Sequence, residues 1–408
     1  MALYDVLSTR GLLKDVSDER LAQSLLNDQS SGFYCGFDPT GQSLTVGHLV
    51  QIVRMKLLQS YGHTPIVLIG GATGLIGDPK QSAERKLLTL EESLENARKI
   101  ESQLKHFLGD DAVYVNNYDW VKHIDMISFL RDYGKQFSIN YMLAKDTVAK
   151  RLETGISYTE FSYMLIQAID FLHLYDHHKC QIQFGGSDQW GNITTGLELI
   201  RKTHQDAKAV GLSSPLLLKA DGTKFGKSES GTLWLDQTLT SPYELYQYFV
   251  NASDADVLNY FNMLTLLPDD TIQTYIQKMN EAPHLREAQK KLSEEVVKMV
   301  HGEKALEKAI QVTESLFSGS FSDLDEEALA MLSKTLPQTN TQSIMDALID
   351  LGLAQSKREA REFINNGAIT INGEKVQDVD MMLSKEDFLA GKYAIVRRGK
   401  KKYGVMIK

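Results

Sequence analysis

The sequence has few cysteines and no long apolar segment. Only Cys35 and Cys180 occur among 408 residues, which excludes a disulfide framework and favours a reducing compartment. No run of about 18 apolar residues is present, so we expect no transmembrane helix and no membrane partner. Charges are spread through residues 1–20, so we expect no signal peptide there and a cytoplasmic protein. No Cys/His cluster has zinc spacing, and no protein metal site is expected.

The charge of the chain is negative overall but uneven. The formal net charge is -9, which argues against a general nucleic-acid binder. From residue 341 to the end, however, 12 lysines and arginines stand against 9 aspartates and glutamates. A basic module on an acidic body is typical of a protein that holds a nucleic-acid partner by one end.

Strand and helix patterns alternate through the first half of the chain. The runs SGFYCGF (31–37), PIVLIGG (65–71) and CQIQFGG (180–186) are typical of parallel strands buried on both faces. Helical spacing between them predicts an α/β fold, with a Rossmann-like parallel sheet over residues 1–223. Residues from about 85 to 150 have helical patterns, and we expect them to form a helical insertion.

The rest of the chain predicts four further segments. A lysine-containing loop at 224–235 precedes an α-helical domain at 236–320. Residues 321–340 are polar and interrupted by proline, which predicts a linker with a weak helix inside it. Residues 341–408 predict a small α+β domain, with a helix followed by a hairpin across the Asn-Gly pair at 372–373.

The stretch KFGKS at 224–228 ends in Gly-Lys-Ser, as P-loops do. A P-loop has four residues between its glycines, but only three separate Gly222 from Gly226. The ESGTLW that follows is also a poor helix start, so a P-loop is excluded. A charged surface turn is one remaining interpretation. The other is a phosphate-binding loop, which needs a second phosphate site elsewhere in the chain.

Residues 36–50, GFDPTGQSLTVGHLV, are a candidate for that second site. A strand and a tight turn lead into a helix whose first turn carries Thr45 and His48 on one face. Gly47 lets a ligand approach the backbone, and Thr40 adds a donor. Helix N-termini bind anions because their N–H groups are unpaired. An ordinary capped helix explains the same pattern, and both interpretations stay open on this stretch alone.

Together these stretches resemble the signatures of class I aminoacyl-tRNA synthetases. TVGH at 45–48 looks like their HIGH motif and KFGKS looks like their KMSKS loop, in the same order and at a similar separation. The tail resembles the S4 RNA-binding domain of the bacterial tyrosyl-tRNA synthetases, and the resemblance covers essentially the whole chain. Four further stretches are similar to that family: YCGFDPT, GGATGLIGDP, FSYMLIQAIDF and GGSDQWGNIT.

The resemblance implies the reaction of that family. L-tyrosine is activated with ATP to tyrosyl-adenylate with release of pyrophosphate, and tyrosine then passes to the 3′ end of tRNA(Tyr). An in-line displacement of this kind depends on positioning and electrostatics and needs no acid–base pair. Mg²⁺ would arrive on ATP. The family also implies a homodimer joined near residues 115–160.

The resemblance implies catalytic roles for the two motifs. Lys224 and Lys227 would neutralise the charge that grows on pyrophosphate as it leaves. His48 and Thr40 would contact ATP. Thr45 stands where the family has histidine; it can donate a hydrogen bond, but it is shorter and does not titrate near neutral pH.

Three polar residues, Tyr163, Gln167 and Asp170, fall at helical spacing among apolar neighbours. A solvated stripe on a half-buried helix is one interpretation. However, a helix that is apolar on most sides is buried, and a buried aspartate must be paired or ligand-bound. The resemblance assigns Tyr163, Gln167 and Asp78 to the amino group of tyrosine, and Asp170 with Tyr34 to its phenol hydroxyl.

The remaining assignments also follow from the resemblance. From the residues alone, without the resemblance, Cys35 is equally explained as a small buried hydrophobic residue, and the basic residues of the tail are equally explained as a solvated charged surface. Gln183 and Gln189 would line the tyrosine pocket; Cys35, Gly36, Asp38, Thr40, Gly47, His48, Gly186, Asp188, Lys227 and Ser228 would bind ATP; Lys357, Arg358, Arg361, Arg397, Arg398 and Lys400 would bind tRNA.

Two other functions remain as alternatives. A ligase of the same superfamily could act on tryptophan, but an indole offers one donor and no acceptor to Asp170 and Tyr34. A non-catalytic RNA-binding protein could keep the fold and the tail. The presence of both Lys224 and Lys227 argues against that alternative.

Overall fold

The chain forms two compact units in a computed structural model. The model describes residues 1–79, 87–152, 155–223, 225–228, 231–399 and 401–408, without the side chains of residues 146, 147, 227 and 228. The first unit comprises Met1–Leu235 and Ser253–Glu281, and the second comprises Asp236–Ala252 and Ala282–Lys408.

Helices make up most of both units. Among the described residues, none is long and apolar enough to cross a membrane. The helices are α1 (Leu3–Thr9), α2 (Glu19–Asn27), α3 (Leu49–Ser60), α4 (Thr73–Ile76), α5 (Leu90–Leu108), α6 (Tyr118–Val121), α7 (Met126–Ser128), α8 (Ile139–Leu143), α9 (Asp146–Ala149), α10 (Tyr158–His178), α11 (Trp190–Thr203), α12 (Pro242–Val250), α13 (Asp254–Leu264), α14 (Asp269–Glu281), α15 (Glu287–His301), α16 (Glu303–Ser318), α17 (Glu326–Thr335), α18 (Ile344–Asp350) and α19 (Lys357–Asn365).

The first unit is built on a five-stranded parallel sheet. Its strands are β1 (Gly32–Phe37), β2 (Thr64–Ile69), β3 (Val113–Asn116), β4 (Cys180–Gly186) and β5 (Val210–Ser214). Their order, β3-β2-β1-β4-β5, confirms the predicted Rossmann-like sheet. From β1 the chain proceeds to β2 and β3 on one side of the sheet, and from β4 it proceeds to β5 on the other side. The crevice beyond the carboxyl ends of this pair is where such sheets bind ligands.

The strand β3 corrects the prediction that residues 85–150 form a purely helical insertion. It pairs with β2 from Ile66↔Val113 to Ile69↔Asn116 and forms one edge of the sheet. All four of its residues are only half-buried. The central strands were predicted from continuous apolar runs in the sequence. The strand β3 is too short to show such a run.

Residues 253–281 also differ from the prediction, which placed them in a separate helical domain. They belong to the first unit. Arg10, at the end of α1, is buried and donates hydrogen bonds to the backbone oxygens of Thr265, at 2.8 Å, and Leu267. A lone arginine in the sequence does not reveal a partner that lies some 250 positions away.

The second unit combines helices with a mixed five-stranded sheet. A separate hairpin, β6 (Lys227–Ser228) with β7 (Gly231–Thr232), belongs to the first unit. In the second unit the predicted turn at 372–373 is confirmed, with Asn372 and Gly373 at φ values of 50° and 96° that suit a type I′ hairpin. The strands of the five-stranded sheet in the second unit, in the order β10-β9-β11-β12-β8, are β8 (Gln338–Thr339), β9 (Ile369–Ile371), β10 (Glu374–Lys375), β11 (Tyr393–Arg398) and β12 (Lys402–Ile407).

The prediction that residues 321–340 form a linker is wrong. Phe321, which is 1% exposed, packs with Leu329 and Leu332 of α17 in one apolar cluster with residues of β11 and β12. The strand β8 then pairs in parallel with β12. Serine, aspartate and glutamine between the apolar positions obscure this packing in the sequence.

Candidate active site

A cavity of about 620 Å³ lies at the carboxyl ends of β1 and β4. Every described residue that the sequence assigned to tyrosine or ATP, apart from the lysine loop, lines it. These residues are Tyr34, Cys35, Gly36, Asp38, Thr40, Thr45, Gly47, His48, Asp78, Tyr163, Gln167, Asp170, Gln183, Gly186, Asp188 and Gln189.

The TVGH motif forms a 3₁₀ turn, Val46–His48, immediately before α3. The backbone N–H of Thr45 donates to His48 Nδ1 at 3.0 Å, and Thr45 Oγ1 lies 3.0 Å from the same atom. Loss of solvent around the ring lowers the pKa of His48 to about 4, so the imidazole is neutral at neutral pH. Because Nδ1 accepts from the backbone, the proton resides on Nε2, which leaves Nε2 as a donor.

The segment that follows the KFGKS motif lies beside this turn. The N–H of Val46 donates to Leu233 O at 3.0 Å, and the N–H of Leu235 donates to Leu44 O at 2.8 Å. Gly226, at a φ of 81°, lies against the backbone of Gly47. Lys224 lies outside the described residues, as do the side chains of Lys227 and Ser228. The structure therefore brings the backbones of the two motifs together.

Asp38 is held by hydroxyl groups from two helices. Tyr163 Oη donates to Oδ2 at 2.7 Å, and Thr73 Oγ1 donates to Oδ1 at 2.6 Å. Position 70 must be glycine here, because a Cβ on Gly70 would collide with the Asp38 carboxylate. This arrangement fixes Asp38 at the end of β1 and places Tyr163 of α10 against it.

Asp170 is fully buried and is bound by Asn117, which follows β3, and by Trp120 of α6. Asn117 Nδ2 and Trp120 Nε1 each donate to its carboxylate at 2.9 Å. Burial raises the pKa of Asp170 to about 7, although both hydrogen bonds favour the charged form. Of the two conditions that a buried aspartate must meet, pairing or a ligand, the structure shows that Asp170 is paired within the protein.

Asp78 lies in a second polar group of the cavity. Gln189 Nε2 donates to its Oδ2 at 2.8 Å, and Asn192 Nδ2 donates to its Oδ1 at 3.1 Å. Asn192 Nδ2 also lies 3.1 Å from Gln189 Oε1. These bonds orient the Asp78 carboxylate from Gln189, which immediately precedes α11, and from Asn192 in its first turn.

Three buried polar atoms in the cavity wall lack partners. Tyr34 Oη, Gln167 Oε1 and Gln183 Oε1 make no hydrogen bond to any described residue. An unpaired buried donor or acceptor destabilises a protein, and nearly all such groups are satisfied in native structures. The three atoms are therefore available to form hydrogen bonds with a ligand in the cavity.

Comparisons with known proteins agree with this geometry. The family profile described as tRNA synthetases class I (W and Y) matches residues 26–318, and that of the tyrosine–tRNA ligase SYY-like C-terminal domain matches residues 325–406. Tyrosine–tRNA ligases from Onion yellows phytoplasma and Geobacillus stearothermophilus are each 50% identical to this chain, and at least 99% of both sequences is covered. The chain belongs to the tyrosyl-tRNA synthetases.

A solved structure supports the same assignment. A C-terminally truncated mitochondrial tyrosyl-tRNA synthetase from Aspergillus nidulans aligns with a TM-score of 0.69 and 30% identity. The alignment covers 78% of this chain and 94% of that one. Tyrosyl-tRNA synthetases use ATP. Among the described residues, no group of three or more His, Cys, Asp or Glu side chains could hold a metal ion.

Several residues of this synthetase site were not predicted from the sequence. Asn117 and Trp120 follow β3, so the wrong helical prediction hid them. Thr73 and Asn192 lie inside the motifs GGATGLIGDP and GGSDQWGNIT, where a polar side chain beside the glycines is the signal that could have revealed them. Gln51 lines the cavity one turn beyond His48, where the helical spacing could have revealed it.

The residues predicted to bind tRNA lie in the second unit. Arg358 and Arg361 of α19 are exposed, whereas Arg397 of β11 is half-buried. Lys357 pairs with Asp346 at 2.8 Å. Arg398 stacks on Phe363 at 4.7 Å and donates to Leu353 O at 2.6 Å. Lys400 lies outside the described residues.

Proposed function

We propose that this chain activates L-tyrosine with ATP and transfers it to tRNA(Tyr). The observation that carries the proposal is the set of unpaired atoms Tyr34 Oη, Gln167 Oε1 and Gln183 Oε1 in the cavity of a tyrosyl-tRNA synthetase. A ligand that satisfies them must present hydrogen-bonding groups at more than one point, as an amino acid with a polar side chain does.

Tyr34 and Asp170 suit a phenol. The hydroxyl of tyrosine donates to the Asp170 carboxylate and accepts from Tyr34 Oη, so both of its capacities are used. Phenylalanine would leave Tyr34 Oη unpaired in a buried site, which is unfavourable. An indole could donate to Asp170 but could not accept from Tyr34.

The other polar groups suit an ammonium. An ammonium has three donors and no acceptor. Asp78 supplies a carboxylate, Gln167 supplies the unpaired Oε1, and Tyr163 Oη donates to Asp38 and so keeps its lone pairs for the substrate. We assign these three residues to the amino group of tyrosine.

The nucleotide binds at the carboxyl end of β1 beside the TVGH turn. We assign Cys35, Asp38, Gly186 and Asp188 to this half of the cavity, with Thr40, Thr45 and His48 as donors to ATP. Because the His48 imidazole is neutral, it donates a hydrogen bond to ATP through Nε2, and its protonation state does not change near neutral pH. Mg²⁺ would arrive with ATP rather than in a site made by the protein.

We assign the tRNA to the basic residues of the second unit. Arg358 and Arg361 are exposed on α19 and can reach phosphates directly. Arg398 is fixed by its stacking on Phe363. Lys400 extends the cluster by sequence. A cytoplasmic location remains a prediction that rests on the low cysteine content.

Exchange of labelled pyrophosphate into ATP tests the first step. We expect exchange that depends on tyrosine and is not supported by tryptophan or phenylalanine. Exchange that depends on tryptophan would show that the chain activates tryptophan, the other amino acid of its family profile. Absence of exchange with any amino acid would favour a binding protein without catalytic activity.

Tyrosine affinity should rise as the pH increases through about 7. Burial raises the pKa of Asp170 to about 7, so its carboxylate protonates in this range. The phenol hydroxyl donates to the ionised form, and affinity should fall by up to about tenfold per unit below that pKa and stay constant above it. Equilibrium dialysis of labelled tyrosine between about pH 5 and 9 measures this dependence.

The Asp170→Asn variant should lose this pH dependence and bind tyrosine about 10- to 100-fold more weakly at neutral pH. Asp176→Asn is a matched control on the same helix, since Asp176 is partly exposed and pairs with His204 at 2.7 Å. An unchanged pH profile in Asp170→Asn would show that another group controls tyrosine binding.

We also propose that the chain forms a homodimer through an apolar groove near residues 121–169. The groove has a volume of about 380 Å³ and contains Met126, Leu130 and Tyr158, which are 76%, 49% and 68% exposed. So many exposed apolar side chains in one place are typical of an interface. A second copy of the chain would cover them.

Introducing charge into this groove should separate the dimer. We expect Met126→Asp with Leu130→Asp to sediment as a monomer in analytical ultracentrifugation, because an interface cannot bury unpaired carboxylates. Leu258→Asp is the control, since Leu258 is exposed on α13 outside the groove. A dimer that persists in the double variant would place the interface elsewhere.

A further inference from the structure

A glutamine of α5 holds the backbone immediately before the TVGH turn. Gln103 Oε1 accepts from the backbone N–H of Leu44 at 2.9 Å, and Gln103 Nε2 donates to Ser43 Oγ at 2.9 Å. Since the Ser43 hydroxyl donates its only proton to Leu44 O, at 2.8 Å, its oxygen must accept from the amide nitrogen. Ser43 and Leu44 are both buried. The Gln103 amide therefore has a single orientation, with both of its ends bound.

Leu44 is the residue at which two segments of the active site meet. Its carbonyl oxygen accepts from the N–H of Leu235 at 2.8 Å, and two residues later the N–H of Val46 donates to Leu233 O at 3.0 Å. The segment that leads into the TVGH turn is thus hydrogen-bonded to the segment that follows the KFGKS motif. Gln103 holds the first of these segments from the side chain of α5.

The same hydrogen bonding continues into the KFGKS motif. The N–H of Leu233 donates to Gly226 O at 3.1 Å, and Gly226 lies against the backbone of Gly47. A run of backbone hydrogen bonds therefore leads from Gln103, through residues 44–46 and Leu233, to the loop that carries the lysines.

A second residue of α5 binds the same stretch of chain. Asn96 Nδ2 donates to Pro39 O at 3.2 Å, and Asn96 precedes Gln103 by seven residues, about two turns of helix. Residues 39–44 are thus held on α5 at both ends. Neither Asn96 nor Gln103 lines the cavity, so any effect on a ligand passes through the backbone that they hold.

We propose that Gln103 is a positioning residue for formation of tyrosyl-adenylate. It fixes Leu44, and through Leu44 the spacing between the TVGH turn and the KFGKS loop. Donors and charges stabilise a transition state when they are in place before the reaction, and a displacement of about 1 Å can lower the rate about 10²-fold. The inference rests on the proposed function, since it concerns how the two motifs of the same site are held.

Single-turnover formation of tyrosyl-adenylate by Gln103→Met tests this role. Methionine has a similar length but leaves the buried N–H of Leu44 without its acceptor. We expect the rate constant at saturating ATP to fall by about tenfold, with tyrosine affinity in equilibrium dialysis unchanged. Ser43→Ala is a milder change that removes only the acceptor for Gln103 Nε2, and it should lower the rate constant by about threefold.

A double-mutant cycle with the lysine loop separates positioning from a general loss of stability. If Gln103 acts by holding the loop beside the TVGH turn, its replacement should matter less when a lysine is already absent. We expect Gln103→Met to lower the rate constant by about tenfold in the parent and by less than about threefold in Lys227→Ala. An equal factor in both backgrounds would overturn the proposal.

Gln59→Met is the matched control. Gln59 of α3 donates to Leu108 O at 2.9 Å, so its replacement disturbs the contact between α3 and α5 without touching either motif. It should form adenylate at the parental rate, even if the free energy of unfolding falls. A parental rate in Gln103→Met would overturn the proposal while the proposed function stands. Absence of tyrosine-dependent exchange in the parent would overturn both.

Discussion

Lys227→Ala and Lys224→Ala should each slow formation of tyrosyl-adenylate by about 10²–10³-fold, with tyrosine affinity unchanged. Negative charge grows on pyrophosphate as it leaves the α-phosphorus, and a lysine that reaches it stabilises the transition state more than the ground state. The hydrogen bonds between residues 44–46 and 233–235 place the β6–β7 hairpin beside the TVGH turn, which supports this role.

Single-turnover kinetics with saturating tyrosine and ATP measures this effect without tRNA. Lys99→Ala is a matched control, because it removes the same charge from an exposed position on α5 that pairs with Glu95. It should form adenylate at the parental rate. Parental rates in both loop variants would remove the lysines from the first step.

Reversing the charges of Arg358 and Arg361 should nearly abolish transfer of tyrosine to tRNA and leave pyrophosphate exchange intact. Both arginines are exposed on α19, so the double change to glutamate should not disturb packing. Each phosphate contact that is lost weakens tRNA binding and lowers its dependence on salt. Filter binding of tRNA across a range of salt concentrations should show a weak affinity and a shallower slope for the variant.

Deletion of the tail is a more drastic form of the same test. A chain ending at Gly319 should keep exchange and lose transfer, although it uncovers Val312, which packs in the cluster with Phe321 and β11. Lys385→Glu controls for net charge in the full chain, because Lys385 is exposed and is not among the residues assigned to tRNA. Full charging of tRNA(Tyr) by the deleted chain would show that the tail does not hold the tRNA.

The central part of the fold was predictable, because buried parallel strands leave a clear signal. SGFYCGF, PIVLIGG and CQIQFGG are apolar on both faces, and the structure places all three in the sheet. The edge strand Val113–Asn116 was not predicted, since its residues are half-buried and its pattern is four residues long. The error at residues 321–340 has another cause. Phe321 becomes buried only through packing with strands that lie later in the chain.

The candidate site was predictable where its residues lie on one element or in one motif. Tyr163, Gln167 and Asp170 stood out as polar positions in an apolar helix, and the structure places all three in the cavity. Asn117 and Trp120 could not be connected to Asp170 from the sequence, because only tertiary packing brings α6 and the residue before it against α10.

Charging of tRNA(Tyr) by the full chain tests the central claim most directly. With ATP and equal concentrations of labelled tyrosine, phenylalanine and tryptophan, we expect acid-stable transfer of tyrosine alone to the 3′ end of the tRNA. Asp170→Ala, tested beside the parent, should charge tyrosine more slowly and discriminate less against phenylalanine. Attachment of tryptophan, or adenylate formation without any transfer to tRNA, would contradict the account.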